Sequence, residues 1–149
     1  MGMVIQIIGA FIASLASGIV IDTPNKYLPH TAAIGAAGWA IYLLVLPGSD
    51  PASASYFGGL TIALGAHILA RLAKTPVTVL LIPALFPLVP GVGMYNTVLA
   101  YLHGESTMFS QNLKLTLLIA GMLALAVYTA DALVSLFYRF RKLCNKLRA

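Results

Sequence analysis

Apolar residues occur in five long runs, separated by short polar connections, and they do not alternate with polar residues along the chain. A helix needs about 20 residues to cross the hydrocarbon core of a bilayer. In lipid every backbone group must be paired within the protein, which favours helices for uninterrupted runs of this length, whereas a membrane β-barrel strand would alternate. The pattern therefore predicts an all-α, polytopic transmembrane helical bundle, with about five helices at residues 4–21, 31–46, 54–72, 76–102 and 113–137.

The connections between these runs carry the residues that end helices. Proline or glycine occurs in each of the segments 22–25, 47–51, 74–76 and 103–106, as expected for hairpin loops. We interpret residues 1–138 as one transmembrane unit and 139–149 as a basic cytoplasmic tail. The first run is not preceded by the positive charge of a signal peptide, so we expect a retained helix.

Composition agrees with a lipid environment. The chain is 60% hydrophobic and 9% charged, whereas a soluble domain carries roughly 25% charged residues. A soluble surface cannot be covered with so few polar groups. The lipid bilayer is therefore the expected surrounding of most of this protein.

The nine cations indicate an orientation. Five of them lie in the last eleven residues, and the others are scattered between apolar runs, so no basic groove typical of a nucleic-acid binder is present in the sequence. With the C-terminus inside, eight cations face the cytoplasm and only Lys114 faces out. We predict an outside N-terminus and a cytoplasmic C-terminus. Cys144 is the only cysteine, and no metal-ligand spacing surrounds it, so no metal or cofactor site is expected.

Small residues recur at helical spacing in the first run. Such faces allow close helix contact in lipid, and we favour packing within the chain over a dimer interface, although both remain open. One stripe contains Gly9, Ala13 and Ser17, and its neighbour contains Ala10, Ser14 and Gly18.

The fourth run, PVTVLLIPALFPLVPGVGMYN at 76–96, contains prolines and glycines that oppose a continuous helix. Broken helices at membrane depth are tolerated where they line a cavity, and in transporters they often hold the substrate. A helix that restarts near Gly93 would offer free N–H groups to a carboxylate. We expect Gly91 and Gly93 to supply backbone freedom or close approach. The alternative is a kinked packing helix with Tyr95 at the interface. The candidate substrate-pathway residues are Pro83, Pro87, Pro90, Gly91, Gly93, Tyr95 and Asn96.

The run IPALFPLVPGVGMY at 82–95 resembles the signature of the threonine/serine exporter (ThrE) family, in its C-terminal half-module or small-subunit form. The resemblance implies a prokaryotic inner-membrane exporter of small hydrophilic metabolites, either threonine and serine or a dicarboxylate such as succinate. It also implies a larger companion subunit of the same family, because this chain lacks the other half-module. Self-association is the alternative source of a second module.

Three ionisable residues lie inside predicted spans, where charge is costly and usually functional. They are His67, Arg71 and Asp131. His67 and Arg71 share a helix face, and His67 and Asp131 are at similar depth, so they can meet. We consider a proton or substrate relay, a structural ion pair, and an Arg71 that reaches the interface by snorkelling.

The leading hypothesis is one subunit of a secondary exporter that works by alternating access around the broken fourth helix. The alternative is a non-transporting subunit that stabilises a larger complex. No nucleotide-binding P-loop, paired carboxylates or nucleophile–base spacing occurs in the sequence, so we expect neither ATP hydrolysis nor enzymatic activity.

Overall fold

The computed structural model describes residues 2–147, with side chains described as far as residue 138. The described chain folds into helices joined by short connections. They are α1 (Gly2–Val20), α2 (Leu28–Val45), α3 (Pro51–Leu72), α4 (Val77–Leu85), α5 (Gly91–Leu102) and α6 (Ser106–Leu147), with 3-10 turns at Leu46–Gly48 and Phe86–Leu88.

The predicted fold class is confirmed. Four helices are long and apolar enough to cross a membrane, and a fifth span results if the bent pair Val77–Leu88 and Gly91–Leu102 counts as one. The bend is 51°. Several boundaries differ from the prediction. Helix α2 begins at Leu28, where Pro29 fits the first turn, and α3 begins at Pro51. Helix α6 begins at Ser106, seven residues before the predicted start at 113, and continues to Leu147, so the backbone of the predicted tail is helical up to that residue.

The helices pack in a chain of neighbours with α4 inserted at the centre. Helix α2 contacts α1 and α3, and α3 also contacts α6. Helix α4 packs against α1, α2 and α3, whereas α5 packs among the described elements only against α6. The buried core includes Ile62, Leu80 and Ala84. One side of α5 therefore remains uncovered, beside the break.

Small residues provide the close helix contacts. A β-carbon added at Gly38 would overlap Ile62, and one added at Gly58 would lie 2.9 Å from the Gly38 carbonyl oxygen. On α1, the buried residues are Ala10, Ser14, Ser17 and Gly18. The predicted use of one small-residue face for packing within the chain is thus confirmed.

Candidate functional site

The break in the fourth span lies between α4 and α5. Helix α4 ends at Leu85, a 3-10 turn spans Phe86–Leu88, and Pro90 precedes the first residue of α5. Pro83 lies inside α4 and is fully buried. Helix α4 continues through Pro83, as a helix can when neighbouring helices enclose the proline, so the interruption lies at Pro87 and Pro90. A role of Pro83 in the substrate pathway stays a prediction.

The first turn of α5 presents unpaired backbone donors. The helix restarts at Gly91, two residues earlier than expected, and Pro90 provides no side-chain cap. The Gly91 N–H donates to the Val89 carbonyl. Within the part of the chain that the structure describes, the N–H groups of Val92 and Gly93 have no backbone acceptor outside their own helix. Such a turn is the positive end of the helix dipole.

This helix end opens into a cavity of about 380 Å³, which we call the break cavity. Among the side chains that the structure describes, no lysine, arginine, aspartate, glutamate or histidine lines it. Its wall is formed by Trp39 and Tyr42 of α2, Ser55 of α3, the segment 87–93, Asn96 of α5, and Asn112, Leu115, Thr116 and Ile119 of α6.

Two buried donors in this wall lack partners. The Thr116 hydroxyl and the Trp39 indole N–H are shielded from solvent, and neither has a hydrogen-bond partner. Thr116 is 8% exposed. A buried polar group without a partner costs about 1–3 kcal/mol. Both residues line the break cavity together with the first turn of α5.

The two glycines at the start of α5 have different surroundings. A β-carbon at Gly93 would lie 2.5 Å from the Thr116 hydroxyl oxygen. One at Gly91 would have no atom within 4 Å, and positive φ among the described glycines occurs only at Gly104. Close approach is therefore confirmed for Gly93. Gly91 adopts helical geometry beside open space, so no close approach is seen there, and its expected backbone freedom stays a prediction.

The two remaining pathway candidates, Tyr95 and Asn96, both lie on α5 but differ in position. Asn96 lines the break cavity. Tyr95 does not, and its side chain is 66% exposed. Sequence reasoning missed Trp39, Asn112 and Thr116, which lie on α2 and α6 and reach the break only through tertiary packing.

Each of the four acidic residues of the chain lies outside the cavity wall. Asp50 caps α3 by accepting from the Ala52 and Ser53 N–H groups and the Ser53 hydroxyl. The Ser53 hydroxyl and the backbone N–H groups hold the pKa of Asp50 below its ordinary value. The cavity thus combines neutral donors with no acidic side chain.

A second polar cluster lies near the C-terminal end of α3. His67 Nε2 and Asp131 Oδ1 are 2.5 Å apart, and their side chains are 13% and 59% exposed. The Arg71 guanidinium carbon lies 3.5 Å from the Tyr138 ring centroid, a cation–π arrangement. The predicted meeting of His67 and Asp131 is confirmed, while Arg71 stacks on an aromatic ring. A relay function stays a prediction.

Among the described residues, no cluster of three or more histidine, cysteine, aspartate or glutamate side chains is arranged to hold a metal ion. The His67–Asp131 pair is a separate centre: about 22 Å of α6, at 1.5 Å per residue, separates Thr116 from Asp131.

Comparison with known proteins agrees with this arrangement of apolar helices around a broken span. The family model described as "Threonine/Serine exporter, ThrE" matches residues 6–133. No curated protein and no solved structure matches the chain. The matched region includes all of the residues that line the break cavity, as well as the His67–Asp131 pair. Since the match covers well over half of the 149 residues, this multi-pass membrane protein belongs to the threonine/serine exporter family.

Proposed function

We propose that this chain is a membrane subunit of a secondary exporter for small neutral amino acids, and that the break cavity binds the carboxylate of the substrate. The observation that carries the proposal is that residues with unpaired donors line one cavity. The first turn of α5, Thr116 and Trp39 all line the break cavity, and the Thr116 hydroxyl and the Trp39 indole N–H have no hydrogen-bond partner among the described residues. A carboxylate at a helix N-terminus is favoured by both hydrogen bonds and the dipole.

The other side of the break suits the ammonium group of an amino acid. The carbonyl groups at the C-terminal end of a helix form its negative pole, and Pro87 and Leu88, which end the turn after α4, line the cavity. The ring of Tyr42 lies in the same wall, and aromatic faces attract cations. A zwitterion thus finds opposite poles across the break.

A dicarboxylate such as succinate fits this cavity less well. Its second carboxylate would need another cation or helix N-terminus, and no lysine or arginine lines the wall. A site built to stabilise two negative charges usually contains arginine or lysine. Threonine or serine is therefore the favoured substrate, and succinate remains the alternative that a binding experiment separates.

The proposed mechanism is alternating access, with the bent α4–α5 pair as the moving element. Broken helices in transporters place the substrate between two bundles that move against each other. Here one side of α5 is uncovered by the described residues, so a second module can close the break cavity. We propose a larger companion subunit of the same family for that module. The orientation with the N-terminus outside and the C-terminus in the cytoplasm of a prokaryotic cell belongs to the same proposal.

Tryptophan fluorescence can test the proposal, because Trp39 is the only tryptophan of the chain and lines the cavity. Titration of the purified protein with L-serine should change Trp39 fluorescence. The deaminated analogue 3-hydroxypropanoate should bind more weakly, and ethanolamine, which lacks the carboxylate, should not bind. Succinate should be weaker than serine. If succinate binds better than serine, the dicarboxylate alternative replaces the amino acid.

Thr116→Val removes the unpaired hydroxyl with little change in shape. Loss of a hydrogen bond to a charged group costs about 1.5–3 kcal/mol, so serine should bind about 10-fold more weakly or worse. Thr97→Val is the matched control, since the buried Thr97 hydroxyl already donates to the Gly93 carbonyl at 2.7 Å. Equal serine affinity in Thr116→Val and the parent protein would contradict the carboxylate site. A scaffold subunit would show no serine-dependent fluorescence at all.

A further inference from the structure

A second cavity lies at the opposite end of α4. It has a volume of about 180 Å³ and is formed where the α1–α2 connection meets the first two turns of α4. We call it the loop cavity. Its polar residues are Asp22, Thr23 and Thr78, and its inner end is closed by Pro83.

Between the loop cavity and the break cavity, α1 and α4 are in direct contact. Pro83 packs near Gly18, where an added β-carbon would lie 3.7 Å from the Pro83 side chain. Ser14 lies on α1, one turn away from Gly18. A β-carbon at Gly35 of α2 would meet both the Ser14 side chain and the Ala84 carbonyl oxygen. Ser14 therefore lies at the junction of α1, α2 and α4.

The contact continues towards the break through a groove of about 250 Å³. Ala10 and Ala13 of α1 face Trp39 and Pro87 across this groove. Trp39 and Pro87 also line the break cavity. The order of contacts along α1 thus runs from the loop cavity, past Gly18 and Ser14, to the wall of the break cavity.

Two hydroxyl groups on the buried face of α1 have no hydrogen-bond partner among the described residues. Ser14 is 0% exposed and Ser17 is 5% exposed. On α4 and the turn that follows it, Pro83 and Pro87 have no N–H group, so the carbonyls of Val79 and Pro83 lose their helical donors. The packed region around α1 and α4 therefore contains hydroxyl groups and backbone carbonyl groups without their usual partners, which a purely apolar packing surface would avoid.

We propose that the translocation route of the exporter runs between α1 and α4, and that the Ser14 and Ser17 hydroxyls contact the substrate as it passes from the loop cavity to the break cavity. The inference rests on the proposed function and adds the path and two substrate-contacting residues to it. Asp22 in the loop cavity offers a carboxylate to the ammonium group of an amino acid, whereas the break cavity offers donors to its carboxylate. The serines supply hydrogen bonds on the stretch between these two ends.

Cysteine accessibility tests the route directly. In a Cys144→Ser background, which removes the only native thiol, Ser14→Cys and Ser17→Cys variants are placed in the assembled exporter in membrane vesicles. Ile12→Cys is the matched control, because Ile12 lies on the same helix with a side chain that is 59% exposed on the outer surface of the described chain. A charged, hydrophilic thiosulfonate should modify the two serine positions during turnover, and L-serine should slow the reaction. Ile12→Cys should stay unmodified, because a thiol that faces lipid does not meet a charged reagent.

Alanine substitutions add a functional measurement. Ser14→Ala and Ser17→Ala keep the packing volume, and the loss of one hydrogen bond of about 1 kcal/mol should lower the export rate about fivefold. The affinity for L-serine measured by Trp39 fluorescence should stay unchanged, since neither residue lines the break cavity. Unmodified thiols at both serine positions during active export, or unchanged export by both alanine variants, would overturn the route while leaving the proposed function intact. Absence of serine binding in the parent protein would instead contradict the proposed function.

Discussion

The Nε2 atom of His67 and the Oδ1 atom of Asp131 are 2.5 Å apart, although 64 residues separate them in the sequence. The contact joins the second half of α3 to α6. Its two members differ in exposure, with His67 mostly shielded and Asp131 mostly open. The pair is therefore the candidate for the proton or substrate relay considered above, and this role stays a prediction.

The first prediction is that Asp131→Asn slows export and flattens its dependence on pH. The substitution keeps the shape and removes the charge that a protonated His67 would pair with. Export of L-serine from loaded vesicles should be measured at about pH 5 to 8. Glu105→Gln is the control, because Glu105 is an exposed acid in the α5–α6 connection. An unaltered pH profile in Asp131→Asn would assign the pair a structural role.

The second prediction separates the two glycines of the break. Gly93→Ala places a methyl group against the Thr116 hydroxyl, where a β-carbon would lie 2.5 Å from the oxygen. It should weaken serine binding to the break cavity and shift α5 relative to α6. Gly91→Ala meets open space and helical geometry, so it should bind serine normally. Gly91→Leu extends into the cavity and should block binding without lowering thermal stability.

Trp39 fluorescence and a melting curve of each variant check this ordering. Equal effects of Gly91→Ala and Gly93→Ala on serine affinity would show that the contact with Thr116 is unimportant for the site.

The third prediction concerns orientation, which depends on the distribution of cations and which the fold leaves open. Cys144 lies in the part of α6 whose side chains are outside the described residues. If the C-terminus is cytoplasmic, a membrane-impermeant maleimide should leave Cys144 unlabelled in intact cells and label it in inverted vesicles. Ser49→Cys in a Cys144→Ser background should behave in the opposite way, since Ser49 is exposed in the α2–α3 connection. Labelling of Cys144 in intact cells would reverse the proposed topology.

The sequence was sufficient to predict the spans and the position of the break, because both depend on local properties. Long apolar runs fix the helices, and Pro87 and Pro90 remove backbone donors whatever the surroundings. The pairing of His67 with Asp131 could also be predicted, since ionisable side chains at the same depth in a membrane usually pair with one another. These features require only the order of residues along each helix.

The residues that line the break cavity could not be predicted from the sequence in the same way. Thr116 and Trp39 are ordinary residues of apolar helices, and their importance arises only because α6 and α2 bring them to the start of α5. The same holds for Ser14, which was recognised as a small packing residue but not as an unpaired hydroxyl beside α4. Whether a buried polar group has a partner is a property of the tertiary structure.

The last prediction is that this chain inserts into membranes alone but exports serine or threonine only with a larger companion subunit. Helix α5 packs only against α6 among the described elements, and its exposed side includes Val92, Tyr95 and Tyr101 at 75%, 66% and 70% exposure. Alternating access needs a second element against which the broken span can move. Five spans also cannot contain two inverted repeats of equal size, which supports a companion as the source of that element.

If the companion hypothesis is correct, this chain alone binds serine but does not transport it. The purified chain in liposomes should show the serine-dependent change in Trp39 fluorescence, because the donors of the break cavity are its own, yet serine efflux should appear only after the companion is added. Val98→Trp on the exposed side of α5 should abolish this gain in efflux, since Val98 is 58% exposed and available to a partner. Ile19→Trp on α1, with a residue of similar exposure at 56%, should leave it intact. Substrate-specific efflux from liposomes that contain only this chain would show that copies of the chain complete the pathway themselves, and would replace the companion with a homo-oligomer.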